Sequence, residues 1–130
     1  MGADHTAGNC LPGRRGPDAR KPDGQIGLSR DTQVIAMACD MLGLCIFVGI
    51  VPENVPVFAT LASAFTGTEI SYETLLEQAR QILKTEKAFN REAGISEGQN
   101  DLPSYFRTEP LPNNGLVFDV PFEELKEFDF

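Results

Sequence analysis

The sequence predicts a mainly α-helical fold with an irregular stretch at either end, and three observations predict it. Apolar residues recur at the helical period from Tyr72 to Phe89. A run of eighteen residues from Val34 to Val51 carries one charge, Asp40. Glycine and proline crowd the first part of the chain, with five glycines and three prolines from Gly8 to Gly27, and Pro103, Pro110, Pro112 and Pro121 punctuate the last. At 130 residues and 14.2 kDa there is room for one domain with one core. We divide that helical domain into a loop-rich segment 1–28, a helical core 29–94 and a wrapping tail 95–130.

The first segment combines its glycines and prolines with Arg14, Arg15, Arg20 and Lys21, and such a stretch sustains neither a helix nor a central strand. Ser29 or Asp31 is the expected N-cap of a first helix, Thr32 to about Leu42, whose apolar residues on both faces imply burial all round. Gly43 ends or bends it, and Pro52 breaks the chain again by biasing Val51 away from the α region. A second helix covers Val55 to Phe65, with Pro56 in its first turn and Gly67 as its C-terminal cap. The third helix starts from Ser71. Glu73 suits its positive end, and Tyr72, Leu75, Leu76, Ala79, Ile82, Leu83 and Phe89 form its apolar stripe, predicted to face Val34–Ile50. Gly94 closes it. Beyond that, Leu116-Val117-Phe118 reads as a short strand or an extended segment and 121–125 as a last short helix.

Eleven basic residues against nineteen acidic ones give a net charge of −8. That argues against nucleic acid or an anionic membrane as a partner, since both require a basic face to displace counterions. The Val34–Val51 run is borderline for a membrane span, but a carboxylate near its middle costs about 2.5–3.5 kcal/mol on insertion, so a buried core helix is the expected reading. Cys10, Cys39 and Cys45 are odd in number, widely spaced and without a CxxC, and nothing resembles a signal peptide, which points to a reducing, cytoplasmic compartment.

Two constellations could carry chemistry. In Asp40-Met41-Leu42-Gly43-Leu44-Cys45 an aspartate and a thiol flank a glycine. If buried, Asp40 needs hydrogen-bond donors, and Cys45 is either a small core residue or a soft ligand for iron–sulfur or zinc. Gly43 lets backbone approach a ligand closely. Gly2-Ala3-Asp4-His5-Thr6-Ala7-Gly8 holds the single histidine, either a loop residue or a proton donor and acceptor near neutral pH.

Taken in order, these stretches resemble the C-terminal part of the aldehyde:ferredoxin oxidoreductase family. GADHTA at Gly2–Ala7, DxxGLC at Asp40–Cys45, a stretch from Glu86 to Gly94 similar to ERxFNxREG, DLP at Asp101–Pro103 and EPLP at Glu109–Pro112 follow one another as they do there. The resemblance implies oxidation of aldehydes to carboxylic acids by a tungsten bis-pterin (tungstopterin), with electrons leaving through a [4Fe–4S] cluster to ferredoxin. It implies that Cys45 is one of four thiolate ligands of the cluster. Asp40, with the backbone at Gly43 and Leu44, would hold a pterin, and His5 would stand near the tungsten. The family's CxxCxxxC segment is not in this sequence, and Cys10 and Cys39 match none of its ligands. The expectation is therefore a fragment that is inactive and cluster-free until the N-terminal part of the enzyme joins it. The competing expectation is a small non-enzymatic helical module that binds another protein.

Overall fold

The computed structural model describes residues 18, 20–95, 102–121, 123–124 and 130. Three helices make the core. α1 spans Gln25–Met41, α2 Val55–Thr66 and α3 Tyr72–Glu92; α1 and α3 pack against each other, and α2 packs on both. A single helical turn, α4, follows at Tyr105–Thr108, and no strand occurs among the described residues.

α1 starts earlier than its sequence predicts. Its N-cap is Gly24, at φ 73°, and neither Ser29 nor Asp31 caps it. The entry turn explains this. Gln25 donates from Nε2 to the carbonyls of Asp18 (3.1 Å) and Lys21 (3.2 Å), and Leu28 N–H bonds Gly24 O at 3.0 Å. Those bonds carry the helix through Gly27, whose penalty is only about 1 kcal/mol. Ser29 sits inside the helix and accepts from Gln33 Nε2. Nor is α1 buried all round. Val34, Ile35, Ala38 and Cys39, two i,i+4 pairs, lie in the core, while Arg30, Asp31 and Asp40 are exposed.

The Val34–Val51 run is not one helix either. α1 stops at Met41, and the chain continues as loop with 3₁₀ turns at Ile46–Val48 and Pro52–Asn54. No helix among the described residues is long and apolar enough to cross a membrane.

α2 matches its expected limits to within one residue. Val55, Phe58, Ala59 and Ala62 form its inner face, and Gly67 at φ 70° closes it through N–H to Ser63 O (2.9 Å). The Ser63 hydroxyl then ties the turn to the next helix. It donates to Ala59 O (2.8 Å) and accepts from Ile70 N–H (2.8 Å).

α3 has the expected cap, Ser71 Oγ accepting from Thr74 N–H at 3.2 Å. Its buried seam is narrower than the periodicity implies: Leu75, Ala79 and Leu83 are buried, Leu76 is partly buried, and Ile82 and Phe89 are exposed. The seam follows a spacing of four and ends at Leu83, so Ile82 falls at its margin and Phe89 beyond its end.

In the tail, Tyr105 and Phe106 stack with ring centroids 4.5 Å apart. Leu116–Phe118 forms no strand and no helix; it is held by Phe118 N–H to Phe106 O (2.7 Å) and by Arg107, which donates to Val120 O and lies over the Phe118 ring. Of the short helix expected at 121–125, Glu123 and Glu124 are described and are helical.

Candidate functional site

The Asp40–Cys45 hexapeptide is the end of α1. Gly43 adopts φ 65°, its N–H bonds Asp40 O at 2.9 Å, and Leu44 N–H bonds Cys39 O at 3.1 Å. This pair of bonds is the Schellman closure, in which a left-handed residue just past the helix satisfies its last carbonyls. The glycine is therefore required by the fold before any ligand is considered. The amides of Gly43 and Leu44 are both consumed by this closure. What the turn offers outward is the Asp40 carboxylate and the Cys45 thiol.

Both lie on the surface of this chain. The sequence suggests a buried Asp40 and a buried Cys45; the structure exposes both. The reason is local: Ala36, one turn earlier on the same side of α1, is buried, whereas Asp40 lies in the last turn, beyond what covers that side. Cys45 lies one residue past the closure, where the chain has already left α1. Leu44 is half-buried and packs on the core, anchoring the turn from below.

Two residues that the sequence reading passed over hold this turn. Cys39 is buried, with Sγ 3.5 Å from Leu44 O and 3.8 Å from Cys45 O, close enough to donate to either. Burial, together with the nearby Asp40 and Cys45, raises its pKa and keeps it a thiol. Asn54 pins the far side: its Nδ2 donates to Val48 O (3.0 Å) and Gly49 O (2.8 Å), and Gly49 sits at φ 93° with its missing Cβ only 2.9 Å from that nitrogen. An Asn placed just before a helix and five residues after a glycine is the one signal that pointed to this clamp.

The electrostatics of the turn favour a positive or donor-rich neighbour. The last carbonyls of α1 give its C-terminal end partial negative charge, no basic residue stands in its last turn, and Asp40 and Cys45 lie there. Among the described residues no group of three or more His, Cys, Asp or Glu side chains comes together to hold a metal. The described cysteines are one buried thiol and one exposed thiol. They fit a single ligand position of a four-thiolate cluster, and the described part of this chain does not fit a whole one. His5 and Cys10 lie outside the described residues.

A second motif repeats the first in its backbone. At the end of α3, Gly94 has φ 82°, its N–H bonds Arg91 O (3.0 Å), and Ile95 N–H bonds Asn90 O (2.9 Å). The stretch from Phe89 to Gly94 is thus another Schellman stop. Glu109–Pro112 lines a cleft of about 770 Å³ between the start of α1 and the tail, walled by Ile26, Phe106, Leu116 and Phe118 with Lys21 at its rim.

A three-helix core with three glycine-closed helix ends and an outward-facing carboxylate–thiol turn defines an α-helical domain whose candidate groups, Asp40 and Cys45, lie at the end of a helix. Residues 1–128 match the family described as aldehyde ferredoxin oxidoreductase, domains 2 & 3. The chain belongs to that family. No curated protein and no solved structure matches it.

Proposed function

We propose that this chain serves as the cofactor-facing C-terminal part of a longer, cytoplasmic oxidoreductase that converts aldehydes to carboxylic acids and delivers electrons to ferredoxin. Family membership over residues 1–128 supports the class of enzyme. The observation that carries the site assignment is the Cys45 thiol, exposed one residue past the Schellman closure, in a loop whose Cys45 carbonyl lies 3.8 Å from Cys39 Sγ and whose Val48 and Gly49 carbonyls accept from Asn54.

In this reading Cys45 supplies one thiolate to a [4Fe–4S] cluster and a separate segment supplies the others. Asp40 accepts hydrogen bonds from a pterin N–H. With the amides of Gly43 and Leu44 engaged, Gly43 and Leu44 contribute the shape of the turn and their carbonyls. His5 holds or moves a proton at the substrate oxygen. When bound, a tungsten bis-pterin supplies the two-electron oxidation and the cluster supplies the exit for electrons. The isolated chain is inactive.

The test is anaerobic reconstitution with iron and sulfide, alone and together with a polypeptide carrying a CxxCxxxC segment. The expected result is iron–sulfur absorption only in the mixture, altered or abolished by Cys45→Ser and unchanged by Cys10→Ser and Cys39→Ser. Loss of the cluster with Cys39→Ser but not Cys45→Ser overturns the assignment, and Asp40 falls with it. The alternative, a non-enzymatic helical module, draws on the exposed apolar side chains around α2; a chain that gains no cluster in any mixture favours it.

A further inference from the structure

Two of the three cysteines in the sequence meet at the end of α1. Cys39 is in the core, 1% exposed, and Cys45 is on the surface. The Schellman closure folds the chain back on itself, and the Cys39 sulfur then lies 3.5 Å from Leu44 O and 3.8 Å from Cys45 O. Those are the carbonyl oxygens on either side of the Cys45 Cα, and peptide geometry holds each within about 3 Å of it. The Cys39 sulfur therefore sits against the very stretch of backbone that carries the second thiol. Five residues separate the two cysteines, and the left-handed Gly43 already closes them into a turn. Asn54 holds the chain just beyond, through the Val48 and Gly49 carbonyls. A turn of Cys45 about its Cα–Cβ bond brings its sulfur towards that of Cys39.

We propose that Cys39 and Cys45 form a reversible disulfide when the cluster-free chain meets a hydroperoxide, so that oxidation takes Cys45 out of its role as a ligand. The consequence for the cluster rests on the reading of Cys45 given above; the bond itself does not. Exposure sets the order of events. Hydrogen peroxide reaches Cys45 first. Its O–O bond breaks, one oxygen stays on the Cys45 sulfur as a sulfenic acid, and the other leaves as water. Cys39 then attacks that sulfur. The S–S bond forms as the S–O bond breaks, and the hydroxyl departs with the Cys39 proton as a second water. Two thiols have lost two electrons, and one peroxide has become two waters. A dithiol reverses the step by exchange and is itself oxidised to a disulfide. Without Cys39, the sulfenic acid would proceed to the sulfinic acid, which no thiol reduces.

The test uses the reduced 130-residue chain, treated with equimolar hydrogen peroxide and quenched with iodoacetamide in urea. Free thiols should fall from three to one. Trypsin leaves both cysteines in the peptide 31–80, which should have lost two hydrogens. Cyanogen bromide cuts after Met41, between them, and the pieces should stay joined until reduced. Cys10→Ser should form the same bond. Cys39→Ser should accumulate Cys45 sulfinic acid instead, with an unchanged circular dichroism spectrum. In a mixture with the CxxCxxxC polypeptide and a preformed iron–sulfur cluster donor, free of sulfide and thiol, the oxidised chain should gain no iron–sulfur absorption until dithiothreitol is added. Cys45 oxidised beside an alkylated Cys39, or joined to Cys10 or to a second chain, overturns the inference. So does an oxidised chain that takes up the cluster as readily as the reduced one. A disulfide in a chain that takes up no cluster even when reduced supports the bond and overturns the ligand reading of Cys45 instead.

Discussion

Gly43 and Gly49 both occupy left-handed backbone, yet they are required for different reasons. Nothing lies within 4 Å of a Cβ built on Gly43, so Gly43→Ala should cost only the backbone penalty of roughly 1–2 kcal/mol. At Gly49 the same change also drives a methyl group to 2.9 Å from Asn54 Nδ2, so Gly49→Ala should cost more and should loosen the clamp; urea denaturation of the two variants tests the order. The two described thiols should differ as sharply. In the folded chain iodoacetamide should modify exposed Cys45 at least about tenfold faster than buried Cys39, read by peptide mass spectrometry, because Cys39 reacts only when the turn opens. At the start of the described chain, the side-chain hydrogen bond from Arg20 holds the Asp18 carboxyl at about 2, against an ordinary value of 3.8. A depressed carboxyl pKa contributes stability that is present above 3.8 and lost as pH falls through about 2. The pair is solvent-exposed, so the contribution is small, and an NMR titration is the right readout. Arg20→Ala should return the Asp18 midpoint towards the ordinary carboxylate value.

At the scale of elements, the helix ends were more legible than the helix faces. Ser71, Gly67 and Gly94 are local devices whose hydrogen bonds reach only a few residues along the chain, and each does what its residue type implies. The faces depend on neighbours. Leu75 and Leu76 look equivalent in the periodic pattern, but Leu75 is fully buried in the core while Leu76 is only partly buried against it. Leu75→Ala should therefore cost about 2–5 kcal/mol and Leu76→Ala clearly less, measured as denaturant midpoints at a common slope. Equal losses would mean that the seam lies elsewhere. The same dependence on neighbours explains Asp40. Its position in an apolar run implies burial only if a neighbour reaches the last turn of α1, and the covering that buries Ala36 one turn earlier on the same side does not extend to Asp40.

For the whole molecule, the described core is closed by side chains alone: Val34, Cys39, Phe58, Leu75 and Leu83 meet without any metal-binding group among the described residues. Thermal unfolding of the chain should accordingly be the same, within error, with and without a strong chelator. A melting temperature that drops on chelation would mean that a metal contributes to this fold, and it would contradict the view of the isolated chain as cluster-free.

Read by itself, the sequence determined the helical class, the order of three helices, the caps at Gly67, Ser71 and Gly94, and the family to which the chain belongs. All of these rest on short-range patterns: a period of 3.6, a serine before a helix, a glycine after one, a series of short motifs in order. It placed Asp40 and Cys45 in one turn for the same reason. Only the tertiary structure decided which sides of α1 and α3 are covered. It also decided that the start of α1 is held by Gln25, that Cys39 and Asn54 clamp the turn, and that the stretch from Met41 to Thr68 breaks into loop and helix with phenylalanines facing outward. Burial is a property of the partner surface as much as of the residue. A sequence states how apolar a side chain is, and the packing of the other helices decides whether it is covered.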